Sequence, residues 1–247
     1  MFAKLLINNA KNIFGDRKLI TFEEIYSLAK NIDPELTQSA IRSRLYYLRK
    51  QNLIAPIFNN IYTLNVKSNF FPIIGNSVTK INRLLLKDYK NAQICFAETR
   101  WLNEFSIHQA FKSYVVCMVE DYMKESVFYY LTDKGLTVIF EPNEKDVNFY
   151  INENESIIIS NLTSRSPTFK HNGVIISKLE KLLVDIYIDK NVYFGYQGNE
   201  IDRIFEKAEN KYNINFSEML NYSRRRGKHY KLKEYLKNIF PHYNKYL

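Results

Sequence analysis

Two capped helices and a short hairpin constrain the first 65 residues more strongly than any other feature of the chain. Thr21, followed three residues later by a glutamate, forms a capping-box pattern that predicts the start of a helix. Thr37 predicts the start of the next helix. Two β-prone runs follow and are joined around Asn59 and Asn60, residues that favour tight hairpin turns. The region therefore contains a compact series of local elements.

The order of these elements predicts a winged helix-turn-helix. A first helix is expected over residues 2–14, and a short extended segment over Lys18–Ile20. The two capped helices come next, and the hairpin is expected from Leu53–Ala55 and Ile61–Leu64. Proteins with this arrangement commonly bind DNA through the third helix, although some serve as protein-interaction modules. We therefore predict a winged helix-turn-helix DNA-binding domain in residues 1–65.

The third helix has one apolar face and one polar face. Ile41, Leu45 and Leu48 fall within a narrow arc of the helix and are expected to be buried. The opposite arc and its margins carry hydroxyls, a tyrosine and cations, namely Ser39, Arg42, Ser43, Tyr46, Arg49 and Lys50. Such a surface can enter a DNA major groove. A solvated basic helix has the same pattern, so this helix alone leaves both interpretations open.

The polar residues of this region have distinct expected contacts with DNA. Arg42 is the candidate for a bidentate contact with a guanine edge. The hairpin tip, with Asn59 and Asn60, is expected to follow the neighbouring backbone or the minor groove. Contacts with phosphates or sugars are expected from Ser39, Ser43 and Lys50.

A change of pattern after residue 65 predicts a second domain. The chain has only 7 Gly and 6 Pro, so the segment containing Phe70-Phe71-Pro72 and Gly75 marks a boundary. We interpret residues 66–76 as a linker. From Ser77, a predicted helix cap, helical and strand patterns alternate. The predicted fold class is therefore α/β (α+β), in which residues 77–247 form a larger domain with a mixed sheet flanked by helices and a helical C-terminal end.

The net charge of +9 lies at the two ends of the chain. Residues 1–65 have a net charge of +4, residues 66–215 of −1, and residues 216–247 of +6. The last segment interleaves cations with tyrosines, a pattern that favours nucleic acid but also fits an acidic protein surface or a solvated face. Its candidate DNA contacts are Arg224, Arg225, Arg226 and Lys228.

The sequence contains no motif that indicates catalysis or metal binding. The four histidines, among them His108, are scattered, and no phosphate-binding or nucleophile motif occurs. Glu120 and Glu141 are expected at strand ends, where a metal-dependent nuclease would place carboxylates, but the remainder of that pattern is missing. Lys181 and Asp185 are interpreted as a surface pair on one helix. We therefore predict no enzyme, no catalytic residue, no cofactor and no metal.

Several features favour a cytoplasmic protein without a membrane partner. There are only 2 cysteines, Cys95 and Cys117, which suits a reducing compartment. No pattern typical of a signal peptide or a membrane-spanning helix is present. Trp101, the single tryptophan, is expected to anchor a core or a domain interface, with a partner-binding hot spot as the alternative.

Segments throughout the chain support one resemblance. They are the N-terminal layout of Thr21–Leu64, a strand-to-helix step formed by Ser166–Thr168, Gly173–Ile176 and Lys178–Asp185, and the stretches Trp101–Phe105 and Tyr222–Lys228. Taken together, these segments resemble the AbiEi family, the antitoxins of bacterial type IV toxin–antitoxin (abortive infection) modules, in a divergent branch with an N-terminal winged helix-turn-helix.

The resemblance implies a function for each domain. AbiEi-like antitoxins bind the operator of their own operon through the winged helix and repress transcription. They also counteract a separately encoded nucleotidyltransferase-like toxin, without a stable complex being expected. The resemblance thus implies a DNA-binding autorepressor and antitoxin in phage defence. Two alternatives remain open, namely a metal-dependent nuclease with a winged-helix targeting domain and a protein-interaction module without DNA binding.

Overall fold

The backbone divides into two compact units. A computed structural model describes residues 2–14, 19–106, 113–142 and 156–247. The first unit comprises Met1–Asn69 and Lys211–Glu218, and the second comprises Phe70–Asn210 and Met219–Leu247. The predicted linker, residues 66–76, is thus shared between the units, and a segment from far along the chain belongs to the first unit.

The first unit contains helices and an antiparallel sheet. Along the chain its described elements are α1 (Phe2–Phe14), β1 (Ile20–Thr21), α2 (Phe22–Ile32), α3 (Gln38–Lys50), β2 (Ala55–Phe58) and β3 (Ile61–Thr63). The strands form a three-stranded sheet in the order β1-β3-β2, with both pairings antiparallel. The pairing of β2 with β3 shifts register between Pro56 and Phe58, beside the turn that joins the two strands.

The two predicted helix starts are confirmed. The Thr21 hydroxyl accepts a hydrogen bond from the Glu24 N–H at 3.2 Å, and the Glu24 carboxylate accepts one from the Thr21 N–H at 2.8 Å, which completes the capping box. The Thr37 hydroxyl accepts from the Ala40 N–H at 3.2 Å. Lys18, in the predicted extended segment, lies outside the described residues, and β1 begins at Ile20.

The predicted hairpin is confirmed, but its first strand starts later than expected. Leu53 is not in β2, because its N–H donates to the Leu48 carbonyl at 3.0 Å and so terminates α3. Asn52, with φ of 55°, supplies the left-handed residue of that helix end. Strand β2 begins at Ala55, after this helix end.

One hydrophobic core joins the helices of the first unit to its sheet. Each helix contributes one apolar face, as the sequence periodicity predicts. The buried residues are Leu6, Ile7, Ala10, Ile20, Phe22, Ile25, Leu28, Ala29, Leu36, Ile41, Leu45, Leu48 and Ile54. Burial of each large side chain contributes roughly 1.5–3 kcal/mol to folding.

The second unit is built on a six-stranded mixed sheet. Its described elements, together with two helices that extend into the first unit, are α4 (Asn76–Asp88), β4 (Cys95–Glu98), β5 (Val115–Val119), α5 (Lys124–Asp133), β6 (Val138–Phe140), β7 (Ile157–Asn161), β8 (Thr168–His171), β9 (Val174–Ser177), α6 (Leu179–Ile188), α7 (Asn199–Lys211), α8 (Phe216–Arg225) and α9 (His229–Ile239). The strand order is β6-β7-β5-β4-β9-β8. The pairs β4–β5 and β8–β9 are antiparallel, and the other pairs are parallel. The fold is therefore mixed α/β, as predicted, and its C-terminal end is helical.

One local prediction in the second unit is wrong, and one strand was not predicted from the sequence. Helix α4 begins at Asn76 after Gly75, not at a Ser77 cap, because the buried Glu98 carboxylate accepts the Gly75 N–H at 2.6 Å. A Cβ at Gly75 would lie 2.6 Å from Arg100 Nη2 and 2.8 Å from Glu98 Oε2, so a larger residue here would have to displace the ends of these two side chains. Strand β8 has no apolar pattern to predict it, and it forms by antiparallel pairing with β9.

None of the described helices is long and apolar enough to cross a membrane.

Trp101 is 5% exposed, and its Nε1–H donates to the Ile73 carbonyl at 2.9 Å. Its ring also meets the ring of Phe70 edge to face, with centroids 6.4 Å apart. Trp101 is therefore a core anchor of the second unit.

The capping box yields a test of local stability. Thr21→Ala removes one acceptor for the first-turn N–H groups, so we expect the free energy of opening of α2 to fall by about 1 kcal/mol. Ser27→Ala, at an exposed position of the same helix, is the matched control and should change it by less than about 0.5 kcal/mol. Amide hydrogen exchange of α2 measures both, and equal exchange rates in the two variants would contradict the assigned role of the box.

Candidate nucleic-acid interface

The polar residues predicted on the third helix all lie on the exposed face of α3. Its opposite face is buried, with Ile41 0%, Leu45 2% and Leu48 1% exposed. The predicted division of this helix into two faces is therefore confirmed. The exposed residues are Ser39, Arg42, Ser43, Tyr46, Arg49 and Lys50.

Arg42 is held between the core and the hairpin. Its guanidinium carbon lies 4.0 Å from the centroid of the Phe22 ring, within the range of a cation–π contact worth about 0.5–1 kcal/mol at an exposed site. Arg42 Nη1 donates to Asn60 Oδ1 at 3.1 Å. Phe22 is 2% exposed and belongs to the core. Arg42 is therefore an exposed residue whose guanidinium packs on the buried Phe22 ring.

A shallow depression of about 380 Å³ surrounds Arg42 on this face. Tyr46 and Tyr47 border it, are 50% and 63% exposed, and meet edge to face with centroids 5.6 Å apart. Lys50 Nζ lies 4.8 Å from the Tyr46 ring centroid, and contact with Tyr46 raises the pKa of the Lys50 ammonium. The residues lining the depression are Ser39, Arg42, Ser43, Tyr46 and Tyr47. A guanidinium, an ammonium and hydroxyls on one surface can bind an anionic ligand.

The hairpin tip is held by residues that the sequence patterns do not connect with it. The backbone N–H of Asn59 donates to Ser217 Oγ at 2.8 Å. The rings of Phe58 and Phe216 stack, with centroids 5.2 Å apart and an angle of 16° between their planes. These pairs are about 158 positions apart in sequence, and no local pattern links residues at that separation.

The Asn213 side chain holds the backbone of Lys67, which follows the hairpin in the first unit. This side chain accepts from the Lys67 N–H at 2.9 Å and donates to the Lys67 carbonyl at 2.5 Å. Together with the contacts of Phe216 and Ser217, this explains why Lys211–Glu218 belongs to the first unit. The hairpin tip is therefore held by two parts of the chain, by this segment and by the first residue of α2, because the Phe22 N–H donates to the Asn60 carbonyl at 2.7 Å.

The four predicted basic contacts near the C-terminus have different environments in the second unit. Arg224, Arg225 and Lys228 are exposed. Arg225 donates to the Arg165 carbonyl at 2.6 Å, and the Arg224 guanidinium lies 3.5 Å from His229 Nε2. Arg226 does not share this environment, because its side chain is only 18% exposed.

Arg226 belongs to a buried group of charges. It donates to Asp185 Oδ1 at 2.8 Å and to Asp189 Oδ1 at 2.7 Å. Lys181 Nζ lies 2.5 Å from the other Asp185 oxygen, and the Tyr222 hydroxyl donates to Asp185 Oδ1 at 2.7 Å. Two cations thus face two carboxylates, and we call Lys181, Asp185, Asp189, Tyr222 and Arg226 the buried ionic cluster.

The interpretation of Lys181 and Asp185 as a surface pair is wrong. Lys181 is 0% and Asp185 2% exposed. Both lie on α6, in which eight of ten residues are buried, so helical spacing alone could not reveal whether the pair faces solvent. Tyr222, expected to interleave with surface cations, is 0% exposed.

The electrostatics of the cluster favour the protonated, charged forms of its two cations. Burial alone would lower the pKa of Lys181, but the Asp185 carboxylate and Tyr222 outweigh it and the pKa is raised. Burial opposes the charge of Arg226 in the same way, and Asp189 and Asp185 together raise its pKa. Burial, followed by the Asp185 charge, raises the pKa of Asp189. The carboxylates therefore hold both cations in their protonated state.

The family model that matches this chain covers residues 40–242 and describes a family of unknown function, DUF6577. The chain belongs to DUF6577. The match begins at Ala40, in the first turns of α3, and includes both the region of Arg42–Asn60 and the buried ionic cluster. No curated protein matches the sequence.

Carboxylates at strand ends meet at one further place in this DUF6577 protein. Lys124 Nζ lies 2.9 Å from Asp121 and 3.1 Å from Glu141, after the ends of β5 and β6, while Glu120 accepts from the Tyr122 hydroxyl at 3.0 Å. Among the described residues, no group of three or more His, Cys, Asp or Glu side chains could hold a metal ion. His108 lies outside the described residues.

Removal of the central carboxylate of the buried ionic cluster should destabilise the protein strongly. In Asp185→Asn, Lys181 loses the carboxylate with which it pairs and Arg226 loses one of its two carboxylate partners, so we expect the free energy of unfolding to fall by about 3–5 kcal/mol. Arg225→Ala, which removes an exposed cation near the same cluster, should change it by about 0.5 kcal/mol or less. Urea denaturation of both variants measures this, and similar midpoints would show that the cluster is not structural.

Proposed function

We propose that residues 1–65 of this DUF6577 protein form a winged helix-turn-helix that binds duplex DNA in a sequence-dependent manner. One observation supports this proposal above all, namely that Arg42 is held on the exposed face of α3 between the Phe22 ring and Asn60. A solvated basic helix needs no such support for one cation. The chain order of α1, α2, α3 and the β2–β3 hairpin also agrees with the proposal.

In the proposed complex, α3 enters the major groove and the β2–β3 hairpin is the wing. Arg42 contacts a guanine edge with two of its N–H groups. Base reading centres on Arg42 together with Ser39, Ser43 and Tyr46 on the same face of α3. Arg49 and Lys50 contact phosphates, which adds affinity without recognising sequence.

The exposed cations near the C-terminus are proposed to add affinity for DNA that is independent of base sequence. Arg224, Arg225 and Lys228 can neutralise phosphates, and the counterions released make binding sensitive to salt. Arg226 is not part of this proposal, because it pairs with Asp185 and Asp189. The proposed DNA contacts near the C-terminus are therefore fewer than the sequence predicts.

We further propose that this DNA binding represses the chain's own operon and that the second unit counteracts a separately encoded nucleotidyltransferase-like toxin in the cytoplasm. The AbiEi resemblance of the strand-to-helix step, formed by Ser166–Thr168, Gly173–Ile176 and Lys178–Asp185, supports the antitoxin role. No catalytic residue is assigned for neutralisation, and no stable complex with the toxin is expected.

A metal-dependent nuclease is the second candidate function. The observation that favours it is the approach of Asp121 and Glu141 to Lys124 near the ends of β5 and β6. Divalent-metal-dependent cleavage of DNA that is lost in Glu141→Gln would replace the repressor proposal with this one.

Binding to the DNA upstream of the protein's own gene tests the proposal directly. We expect tight binding to this DNA and weak binding to a scrambled duplex of equal length, with both falling steeply between about 50 and 200 mM salt. Fluorescence anisotropy measures the two affinities. Equal weak binding to both duplexes would contradict sequence-dependent recognition and favour a protein-interaction module.

Two arginine variants separate specific from non-specific contacts. Arg42→Ala should cost about 1–3 kcal/mol at its cognate base pair and reduce discrimination there, whereas Arg225→Ala should weaken all sequences alike and lower the salt slope by about one. The comparison of cognate and scrambled duplexes at several salt concentrations measures both effects. Identical behaviour of the two variants would show that the contacts are wrongly assigned.

The antitoxin role has its own test. Expression of the toxin gene of the same operon should arrest growth, and co-expression of this chain should restore it. Growth arrest that persists in the presence of this chain would contradict the antitoxin role. Arg42→Ala should retain this rescue, because neutralisation is assigned to the second unit. Loss of operator binding together with unchanged rescue would separate the two activities.

A further inference from the structure

Asn60 is fixed on the hairpin by its backbone as well as by its side chain. Its carbonyl accepts a hydrogen bond from the Phe22 N–H at 2.7 Å, at the start of α2. Its φ of 57° is in the left-handed region, which asparagine tolerates better than most residues. Asn60 is therefore attached to the same residue, Phe22, whose ring supports Arg42.

These contacts form a closed arrangement of three residues. The Phe22 N–H binds the Asn60 carbonyl, Asn60 Oδ1 accepts from Arg42 Nη1 at 3.1 Å, and the Arg42 guanidinium lies 4.0 Å from the Phe22 ring centroid. The neighbouring tip residue, Asn59, is held differently, through its backbone N–H and Ser217. Two adjacent asparagines in one turn thus have different roles.

The arrangement restricts Arg42 before any ligand binds. An arginine side chain loses rotamer entropy when it binds, and a side chain that is already held loses less. A guanidinium has five N–H donors, and the contact with Asn60 uses one of them. Enough donors remain for a bidentate contact with the O6 and N7 atoms of guanine.

We infer that Asn60 and Phe22 are positioning residues for Arg42, and that Asn60 acts on base specificity through Arg42 instead of contacting the DNA backbone. This inference rests on the DNA binding proposed above and adds the residues that determine its specificity. It predicts that a change at the hairpin tip alters recognition of the one base pair that Arg42 contacts.

The variants are chosen to preserve the backbone of the turn. Asn60→Gly removes the acceptor and tolerates a positive φ, and Asn60→Asp keeps both the acceptor and a tolerance for that φ. Asn59→Ala is the matched control, because it shortens the adjacent side chain and keeps the backbone contact with Ser217. Arg42→Ala identifies the base pair in question.

The first measurement is the discrimination ratio, the affinity for the preferred base pair divided by that for its substitutes. Selection from a random duplex library with the full wild-type chain supplies the preferred sequence, and Arg42→Ala shows where a preference of about five- to 150-fold disappears. In Asn60→Gly we expect this ratio to fall by about two- to tenfold. Asn59→Ala should leave the ratio unchanged, because loss of a contact between Asn59 and the DNA backbone weakens binding to all sequences alike. Asn60→Asp should retain the ratio, although the added negative charge lowers the affinity for all sequences.

The second measurement needs no DNA. The Nε–Hε signal of Arg42, assigned through Arg42→Lys, reports the order of the side chain by its heteronuclear NOE. We expect a rigid value in the wild type and in Asn60→Asp, and a mobile value in Asn60→Gly. In the Arg42→Ala background, Asn60→Gly should produce no further loss of discrimination.

The outcomes separate this inference from the function on which it rests. If the wild type recognises a sequence and Asn60→Gly keeps its discrimination ratio, Asn60 has no positioning role and only the inference is overturned. If the wild type recognises no sequence, the proposed function and the inference are both overturned, even where the NOE shows an ordered Arg42. A lower ratio in Asn59→Ala as well would point to a general disturbance of the turn and would also overturn the inference.

Discussion

Phe22 connects the interior of the first unit with its exposed α3 face. Its side chain is part of the core at 2% exposure, its N–H binds the Asn60 carbonyl, and its ring lies under Arg42. A ring that is fixed by close packing gives a defined position to the cation that rests on it. The geometry of the candidate interface thus depends on the packing of a residue that can make little contact with a ligand itself.

In the second unit, the dominant constraint is the balance of buried charge around Asp185. One carboxylate accepts from Lys181, Tyr222 and Arg226, and Asp189 shares the charge of Arg226. Because an unpaired buried charge is very unfavourable, this set is stable only when complete. It links α6 to the end of α8, and it explains why Arg225 and Arg226, adjacent in sequence, have different environments.

The two proposals concern different parts of the DUF6577 match. Recognition of DNA is assigned to α3 and the hairpin, whereas neutralisation of a toxin is assigned to the second unit. The exposed Arg224, Arg225 and Lys228 lie in the second unit, so the proposed affinity for DNA is not limited to one unit. Arg42 combines charge with a fixed position. Charge alone attracts phosphate, whereas recognition of one base also requires a side chain in a defined position.

Local patterns in the sequence determined the capped starts of α2 and α3, the two faces of α3 and the turn at Asn59–Asn60, because each depends on residues within a few positions of one another. The mixed α/β class followed from the alternation of such patterns. Only the tertiary structure decided that Asn60 supports Arg42, that Ser217 holds the hairpin tip, that polar β8 is a strand, and that Lys181 and Asp185 are buried. The physical reason is that periodicity shows which residues share a face, whereas burial and pairing depend on what distant parts of the chain place against that face.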